Sequence, residues 1–378
     1  MAESRADSPP PPPPSKTSLK PSLTVTLLSI LAPILAVTIL YRHEPFDPAP
    51  LPTHGLLGSV AAPRENGRML RGAEMVGAGR MAGPEDVAYD SASGLIYVGC
   101  ADGWVKRVKA NDSVGDSTVE DWVNTGGRPL GLALGLDGEV TVCDAYKGLL
   151  SVSKHGTVKL LTDEAEGVKF NLTDAADVAP DGTIYFTDAS YKYTLEEVIW
   201  DVLEGRPHGR FLSYDPATKE TKVLARDLYF ANGVALSPDQ SFVVFCETVM
   251  RRCRRYYING ERKGQTDTFI DRLPGYPDNI RYDGEGHYWI ALASGNSMFN
   301  ELLLKYPFMR KGAAILERFN RRPAMEKNGG VFQVDLKGKP VAHYYDPQLS
   351  FISSANKIGD YLYCGSLHYP YILRLKLD

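Results

Sequence analysis

Oxygen-bearing side chains recur at one phase of a repeating pattern in this chain of 378 residues. Each opens a short apolar run, in the contexts GPED, LTDAAD, FANG and PDNI. Carboxylate and amide oxygens gathered in one place, with neither His nor Cys among them, suit Ca²⁺. Three carboxylates brought together without a cation would also repel one another. The candidate metal ligands are Glu85, Asp174, Asn232, Asp278 and the adjacent Asn279.

A second interpretation applies to each of these positions taken alone. Asp and Asn often begin strands because they form turns, so any one of them is explained without an ion. Their coincidence at the same phase of successive repeats favours a metal site.

The repeat predicts the fold that would position these residues. From residue 83 onward, a short apolar strand, a turn with Asp or Gly and a second apolar strand recur at intervals of 44, 45, 58, 46 and 76 residues. Periods of about 40–50 residues are typical of β-propellers, which have four strands per blade. We therefore predict an all-β, six-bladed β-propeller whose first strands line a central channel. The equivalent positions are Glu85, Pro129, Asp174, Asn232, Asp278 and Ser354.

The two long intervals require insertions, and residues 191–210 and 297–327 are predicted to be helical. As functional parts, these helices would be lids over the channel mouth or a membrane-facing surface. Alternatively, they pack on the side of the propeller, since long loops are not always functional. Residues 68–81 are expected to supply a strand that closes the last blade and removes an exposed sheet edge.

The N-terminal residues differ in composition from the repeats. Residues 1–20 form a Pro-rich tail with six consecutive prolines at 9–14. Residues 21–41 carry no charge and are long enough to cross a hydrocarbon core of roughly 30 Å. We interpret them as a transmembrane anchor, or an uncleaved signal, because the apolar region of a signal peptide has only about 7–15 residues. A linker at 42–67 would precede the propeller at 68–378, which is expected to lie in a lumenal or extracellular compartment.

Composition limits the partners and the redox chemistry. The formal net charge of −4, without a basic stripe, gives no indication of nucleic-acid binding. Asn111 and Asn171 lie in glycosylation sequons, which fit a lumenal body. Most of the five cysteines end apolar runs and are interpreted as buried strand residues. Cys246 and Cys253 flank a short connection and are the pair to test for a disulfide.

Residues 83–378 resemble the strictosidine synthase-like proteins of plants and their animal relative, adipocyte plasma membrane-associated protein. The motifs that carry the resemblance are GRPLGL, DAYKGL, YFTDASYKYT, FANGVALSPD, LPGYPDNIRYDG and YLYCGS. The resemblance implies an N-terminal membrane segment and a place in the endomembrane system, in the vacuole or the ER. The wider superfamily includes paraoxonases, gluconolactonases and related six-bladed calcium-dependent hydrolases.

The metal pattern of those hydrolases transfers in part. The resemblance implies Glu85, Asn232 and Asp278 as ligands, with Asn279 as a further candidate. Where the hydrolases have another asparagine this sequence has Asp174, which can still ligate. Their histidine of the second repeat is absent, because Arg128 and Pro129 stand there, so a paraoxonase-like histidine base is not expected.

The synthase activity transfers poorly. Strictosidine synthase uses a glutamate of the last blade as its general base, and this sequence has Asn356 and Lys357 in that place. Neither an amide nor an ammonium group accepts a proton at neutral pH, so strictosidine formation is not expected. His368 aligns loosely with a histidine of the synthase; it either lines the pocket or is an exposed or packed residue.

Three functions follow as hypotheses. The first is calcium-assisted hydrolysis of a small lactone or aryl ester, with the general base unassigned among Glu247, Asp144, Asp188 and His368; the three carboxylates could equally be salt-bridged. The second is a synthase-like condensation of an amine with an aldehyde that uses another base. The third is a non-catalytic propeller that binds a ligand, with the ion only stiffening the channel.

Overall fold

The computed structural model describes residues 23–52, 57–321 and 325–377, in two compact units, Met1–Pro45 and Phe46–Asp378. In the first unit a single helix is described, α1 (Leu23–His43). The Pro-rich tail at 1–20 and the first two residues of the predicted anchor at 21–41 lie outside the described residues. No helix in the described ranges is both long and apolar enough to cross a membrane, so the predicted transmembrane anchor is not supported.

The second unit is built from short antiparallel strands. Two strands precede the repeats, β1 (Arg64–Asn66) and β2 (Ala73–Val76). Blade 1 contains β3 (Val87–Asp90), β4 (Leu95–Gly99), β5 (Trp104–Lys109) and β6 (Thr118–Asn124). Blade 2 contains β7 (Pro129–Leu134), β8 (Val140–Asp144), β9 (Gly148–Val152) and β10 (Val158–Thr162). A small hairpin follows, β11 (Glu164–Ala165) and β12 (Val168–Lys169).

The remaining blades continue the pattern. Blade 3 contains β13 (Thr173–Val178), β14 (Ile184–Asp188), β15 (Gly209–Asp215) and β16 (Glu220–Leu228). Blade 4 contains β17 (Ala231–Leu236), β18 (Phe242–Glu247), β19 (Arg252–Tyr257) and β20 (Thr266–Ile270). Blade 5 contains β21 (Gly275–Tyr282), β22 (His287–Gly295), β23 (Gly330–Asp335) and β24 (Pro340–Tyr345). Blade 6 contains β25 (Ile352–Ile358), β26 (Tyr361–Ser366) and β27 (Ile372–Lys376).

The first strands of the blades form a closed ring. In the order β3, β7, β13, β17, β21 and β25, each first strand contacts the next, and β25 contacts β3 again. Apolar side chains pack between neighbouring blades, as where the rings of Phe211 and Phe245 stack with centroids 4.9 Å apart. The predicted six-bladed β-propeller is confirmed.

The ring is closed by a strand from the N-terminal side of the repeats. β2 pairs antiparallel with β27, with Val76 opposite Ile372, and so supplies the fourth strand of blade 6. The closing strand expected within residues 68–81 is therefore present. β1 adds a parallel fifth strand to blade 5 beside β24, which the repeat pattern did not predict.

Two helical insertions leave the ring at the end where the first strands begin. The first contains a 3-10 turn (Leu195–Glu197) and α2 (Val198–Glu204), and it begins in a capping box between Thr194 and Glu197. The second contains α3 (Met298–Lys305), capped by Ser297, and α4 (Pro307–Arg318). Both lie within the segments predicted to be helical.

Cys246 and Cys253 face each other across β18 and β19 and form a disulfide. The pair proposed for a bridge is therefore confirmed. The other three cysteines are free and buried, which agrees with their interpretation as strand residues: Cys100, Cys143 and Cys364.

Candidate metal centre

Four of the predicted ligands meet at one end of the channel. Glu85 lies just before β3, and the other three lie near the beginnings of β13, β17 and β21. The ring places these positions side by side because the first strands all begin at the same end. All four are buried, with exposed fractions of 1–6 %: Glu85, Asp174, Asn232 and Asp278.

Glycines allow the first strands to approach closely enough for this. A Cβ on Gly233 would lie 2.5 Å from the carbonyl oxygen of Asp278, so only glycine fits beside Asn232. A Cβ on Gly131 would likewise lie 2.5 Å from the carbonyl oxygen of Asp174. The Asn-Gly pair of FANG is thus explained by close approach of two strands and not by a turn.

The three carboxylates form a compact acidic cluster. One oxygen from each of Glu85, Asp174 and Asp278 lies within 4.8 Å of the other two. Burial, followed by the charge of Asp278, raises the pKa of Glu85 well above its ordinary value. Burial and the charge of Glu85 do the same to the pKa of Asp174, and burial and the charge of Asp174 to that of Asp278. A bound cation would therefore favour ionisation of all three carboxylates.

Two buried oxygens at the cluster have no hydrogen-bond partner among the residues that the structure describes, Glu85 Oε2 and Asn232 Oδ1. The Asn232 side chain hydrogen-bonds the Asp278 carboxylate, which leaves its own oxygen without a donor. An unsatisfied buried polar atom costs about 1–3 kcal/mol, and a bound cation would satisfy both oxygens. Three carboxylates and an amide oxygen are a donor set that fits Ca²⁺.

Asn279 occupies a supporting position. Its Nδ2 donates a hydrogen bond of 2.8 Å to Glu85 Oε1, across the channel between blades 5 and 1. The structure therefore places Asn279 where it orients a candidate ligand through its amide nitrogen.

Hydroxyl groups from neighbouring blades hold the backbone of the ligand segments. Ser353 Oγ donates to the Glu85 carbonyl (2.5 Å), Thr187 Oγ1 to the Asn232 carbonyl (2.9 Å), and Thr248 Oγ1 to the Pro277 carbonyl (2.7 Å). The sequence analysis missed these residues because each bond joins two different blades, and the repeat pattern does not mark the hydroxyls that donate it.

Blade 2 contributes a positively charged side chain to the site, where the ligand-bearing blades contribute an oxygen. Arg128 is buried and donates from Nη2 to the Gly83 carbonyl (3.0 Å) and from Nη1 to the Pro129 carbonyl (3.1 Å). Its charge opposes the upward shift in the pKa of Glu85. Arg128 thus stabilises the acidic cluster from one side.

A second polar layer ties the first strands together further along the channel. Asp86 accepts from Leu132 N (2.8 Å), and Asp177 accepts from Leu236 N (2.9 Å), so each carboxylate bridges to the next blade. Arg281 forms an ion pair with Asp86 and also bonds the Leu132 carbonyl. These bonds fix the spacing of the strands that carry the cluster.

The three carboxylates considered as general bases share a structural role. Each ends the second strand of its blade and accepts from a backbone N–H that leads into the first strand. These bonds join Asp144 to Arg128 N (3.1 Å), Asp188 to Leu172 N (3.2 Å), and Glu247 to Tyr229 N (3.1 Å). Asp188 and Glu247 also form ion pairs of 2.6 Å with Arg210 and Arg252. The contacts of Asp188 and Glu247 favour the salt-bridged alternative, whereas Asp144 is held by hydrogen bonds from Thr125 Oγ1 and backbone N–H groups.

The residues of the last blade that were considered for catalysis lie at different positions along the channel. His368 follows β26 at the metal end, is exposed, and lies 5.7 Å from Phe351 between ring centroids. Asn356 donates to the Val87 carbonyl (3.1 Å), and Lys357 pairs with Glu285 (2.6 Å) in the turn after β21, at the opposite end. Lys357 therefore lies at the opposite end, whereas Asn356 lies partway along the channel, beside the first residue of β3.

An apolar cluster covers the metal end of the channel. It joins residues at the strand entries to residues of the helical insertions, so the acidic cluster lies below a surface shielded from water. Its members include Leu130, Leu172, Phe230, Val249, Met250 and Leu304, with Val198, Val202 and Tyr276 packed against it.

Comparison with known proteins agrees with this architecture. A strictosidine synthase model matches residues 174–261, and a model described as strictosidine synthase-like, N-terminal, matches residues 66–108. Among solved structures, a gluconolactonase from Xanthomonas campestris superposes with a TM-score of 0.59 at 16 % identity, covering 88 % of this chain and 98 % of that one. A calcium-binding regucalcin from Agrobacterium tumefaciens gives a TM-score of 0.55 at 17 % identity, covering 79 % and 90 %. At these identities the likeness shows the shared fold.

Relatives found by sequence have higher identity to this chain than these solved structures. Adipocyte plasma membrane-associated protein of Rattus norvegicus is 37 % identical over 332 residues, which cover 82 % of this chain and 87 % of the relative. Protein strictosidine synthase-like 6 of Arabidopsis thaliana is 57 % identical over 351 residues, which cover 92 % of this chain and 94 % of the relative. The chain belongs to the strictosidine synthase-like family.

Proposed function

We propose that this protein is a calcium-dependent hydrolase of small lactones or aryl esters. The observation that carries the proposal is the buried acidic cluster of Glu85, Asp174 and Asp278 with two oxygens that lack partners. The gluconolactonase and the calcium-binding regucalcin that share the fold support it by their described properties.

Glu85, Asp174, Asn232 and Asp278 would hold the ion, and Asn279 would orient Glu85. A bound Ca²⁺ would supply a Lewis acid that polarises the substrate carbonyl. The apolar cluster over the channel mouth would bind the hydrocarbon part of the substrate and exclude bulk water. Because Asp144, Asp188 and Glu247 are engaged in structural bonds, His368 is the remaining candidate of the four for proton transfer at this end.

A non-catalytic ligand-binding propeller is the second candidate. It is favoured because Asp144, Asp188 and Glu247 are all held in structural bonds. Among the residues considered, no buried carboxylate is then free to act as a general base. The amine–aldehyde condensation is supported less, because Asn356 and Lys357 donate hydrogen bonds to Val87 and Glu285 and neither is a base at neutral pH.

Metal analysis and turnover together test the proposal. The purified full chain is expected to retain calcium and to hydrolyse phenyl acetate or a lactone, with activity lost on chelation and restored by calcium. Asp278→Asn removes one ligand charge and is expected to weaken calcium binding by about tenfold or more. Asp360→Asn, the same change at an exposed turn, is the matched control. Calcium binding without turnover on a broad ester panel would favour the ligand-binding alternative, and turnover insensitive to chelation would contradict the metal's role.

We also propose an oxidising, lumenal location for the propeller. The Cys246–Cys253 disulfide supports it, because disulfides persist in such compartments. Asn111 and Asn171 are both half-buried, and their Nδ2 groups donate to the carbonyls of Asp116 (2.7 Å) and Tyr191 (2.8 Å). The test is treatment of the cellular protein with a glycosidase, which is expected to change its electrophoretic mobility. A protein that carries no glycans and has Cys246 and Cys253 as free thiols would contradict the location.

A further inference from the structure

The helical hairpin of α3 and α4 has an apolar solvent-facing side. In α4, Phe308 is 61 % exposed and Leu316 is also exposed, and Phe319, which caps the end of the helix, is 60 % exposed. Phe308, Gly312, Leu316 and Phe319 follow one another at intervals of four, four and three residues, so they share one face of the helix. A surface helix ordinarily turns such a face towards the core.

The opposite side of α4 carries a buried arginine. Arg310 is fully buried, and its Nη1 donates to the carbonyls of Leu203 and Glu204, each at 3.1 Å. Ala314 is buried beside it. The helix is therefore oriented by its buried arginine, and this orientation turns the phenylalanines outward.

α3 extends the same kind of surface. Met298 is 78 % exposed, and Phe299, Leu302 and Tyr306 are exposed as well. Met298, Leu302 and Tyr306 lie at intervals of four residues and so share a face. We call the exposed apolar side chains of the two helices the hairpin face, defined by Met298, Phe299, Leu302, Tyr306, Phe308, Leu316 and Phe319.

The charges around the hairpin face select its partner. Residues 298–321 contain five basic and two acidic residues. Of the acids, Glu301 is turned inward, where it accepts from Gly58 N (3.0 Å) and Asn296 Nδ2 (2.6 Å). Large apolar side chains flanked by Lys and Arg are the composition that binds the interface of an anionic bilayer. The basic residues that flank the face are Lys305, Lys311, Arg318 and Arg321, whereas the fifth, Arg310, is the buried arginine of the opposite side.

We propose that the hairpin face docks on an anionic lipid surface, with its phenylalanines in the interface and its basic side chains at the headgroups. The hairpin is inserted between β22 and β23, at the end of the ring that carries the acidic cluster. Docking therefore brings the apolar channel mouth to the bilayer, from which a lipophilic ligand can enter. This inference does not depend on hydrolysis or on α1.

A reporter on the face itself tests the proposal in the full chain. Met298→Cys carries an environment-sensitive dye, and Leu136→Cys carries it as the control, since Leu136 is 60 % exposed in the turn after β7 at the other end of the ring. The native cysteines are bridged or buried and do not compete for the label. With phosphatidylcholine–phosphatidylserine vesicles, the emission at position 298 is expected to shift to the blue and the emission at 136 to remain unchanged.

Binding measurements complete the test. The double variant Phe308→Ser, Phe319→Ser is expected to abolish the blue shift of the dye at position 298 and to weaken the vesicle binding reported there by about tenfold or more, whereas Leu136→Ser has no effect. Added salt is expected to weaken binding further. No shift at 298 with vesicles, or equal binding to pure phosphatidylcholine, would overturn the proposal. A shift without vesicles that grows with protein concentration, together with a doubled mass in light scattering, would instead assign the face to a second copy of the chain.

Discussion

Glu85 depends on contacts from three parts of the ring. Asn279 fixes one carboxylate oxygen, Ser353 fixes the carbonyl, and the Arg128 charge lowers the cost of ionisation. One oxygen, Oε2, is left without a partner. Glu85 is thus oriented by its neighbours with one oxygen available to a cation. Loss of one of these supporting contacts should weaken cation binding although Glu85 itself remains in place.

Asn279→Ala tests this support. The change frees Glu85 Oε1, and calcium affinity is expected to fall roughly tenfold while the fold is retained. Asn356→Ala is the matched control, since Asn356 also donates one hydrogen bond to a channel strand but to the carbonyl of Val87 and not to a candidate ligand. Calorimetric titration measures both, and equal losses in the two variants would contradict a specific role for Asn279.

Proton linkage provides a second test at this scale. The raised pKa values of Glu85, Asp174 and Asp278 mean that the cation-free folded chain holds protons that the unfolded chain releases. Its free energy of unfolding therefore falls as pH rises from the ordinary carboxyl range through these raised values. Calcium replaces the protons, so its stabilising effect should increase with pH.

The measurement is the difference in Tm with and without calcium at several pH values from mildly acidic to mildly alkaline. We expect the difference to grow with pH in the native chain and to shrink at every pH in Asp278→Asn. A calcium effect that is constant with pH would show that binding does not displace protons from the cluster.

At the scale of elements, Arg310 connects structures that are distant in the chain. From α4 it bonds the last carbonyls of α2 and the carbonyl of Ala49. Burial lowers the pKa of Arg310 to about 10, which still leaves it charged at neutral pH. Composition and spacing predicted both helical segments, but nothing local showed that an arginine would face inward. The orientation of α4 could not be predicted because its partners lie more than a hundred residues away.

Arg310→Leu is expected to loosen the helical insertions selectively. The carbonyls of Leu203 and Glu204 would lose their donor, at a cost of about 1–3 kcal/mol each. Hydrogen exchange should accelerate in α2 and α4 and stay slow in the first strands. Lys337→Leu, at an exposed turn, serves as control. Uniform loss of protection across the propeller would contradict a local role.

At the scale of the whole molecule, the repeat phase predicted the propeller and brought four ligands to one place. It also predicted β2 as the closing strand, because a ring must pair its last edge. The parallel strand β1, the Asp86–Arg281 ion pair and the bond from Thr187 to Asn232 were not predictable. Each joins different blades through a side chain or an edge that no periodicity marks.

Val76→Asp tests the closure. Val76 is fully buried in β2, whereas Met75 beside it is 48 % exposed, so Met75→Asp is a matched control. A buried unpaired charge should lower the free energy of unfolding by about 3 kcal/mol or more, because blade 6 loses its fourth strand. Urea unfolding measures both variants, and similar losses in the two would show that β2 does not hold the ring.

The pairing of β2 with β27 also sets an order of events during synthesis. Glu85 is made early, and Ser353, which fixes its backbone, is made 268 residues later; β27 follows after that. On a nascent chain that lacks blade 6, Glu85 is therefore without one of the bonds that fix it, although all four candidate ligands have been made. Full calcium affinity is expected only in chains whose ring has closed, so calcium binding would distinguish finished molecules from partial ones.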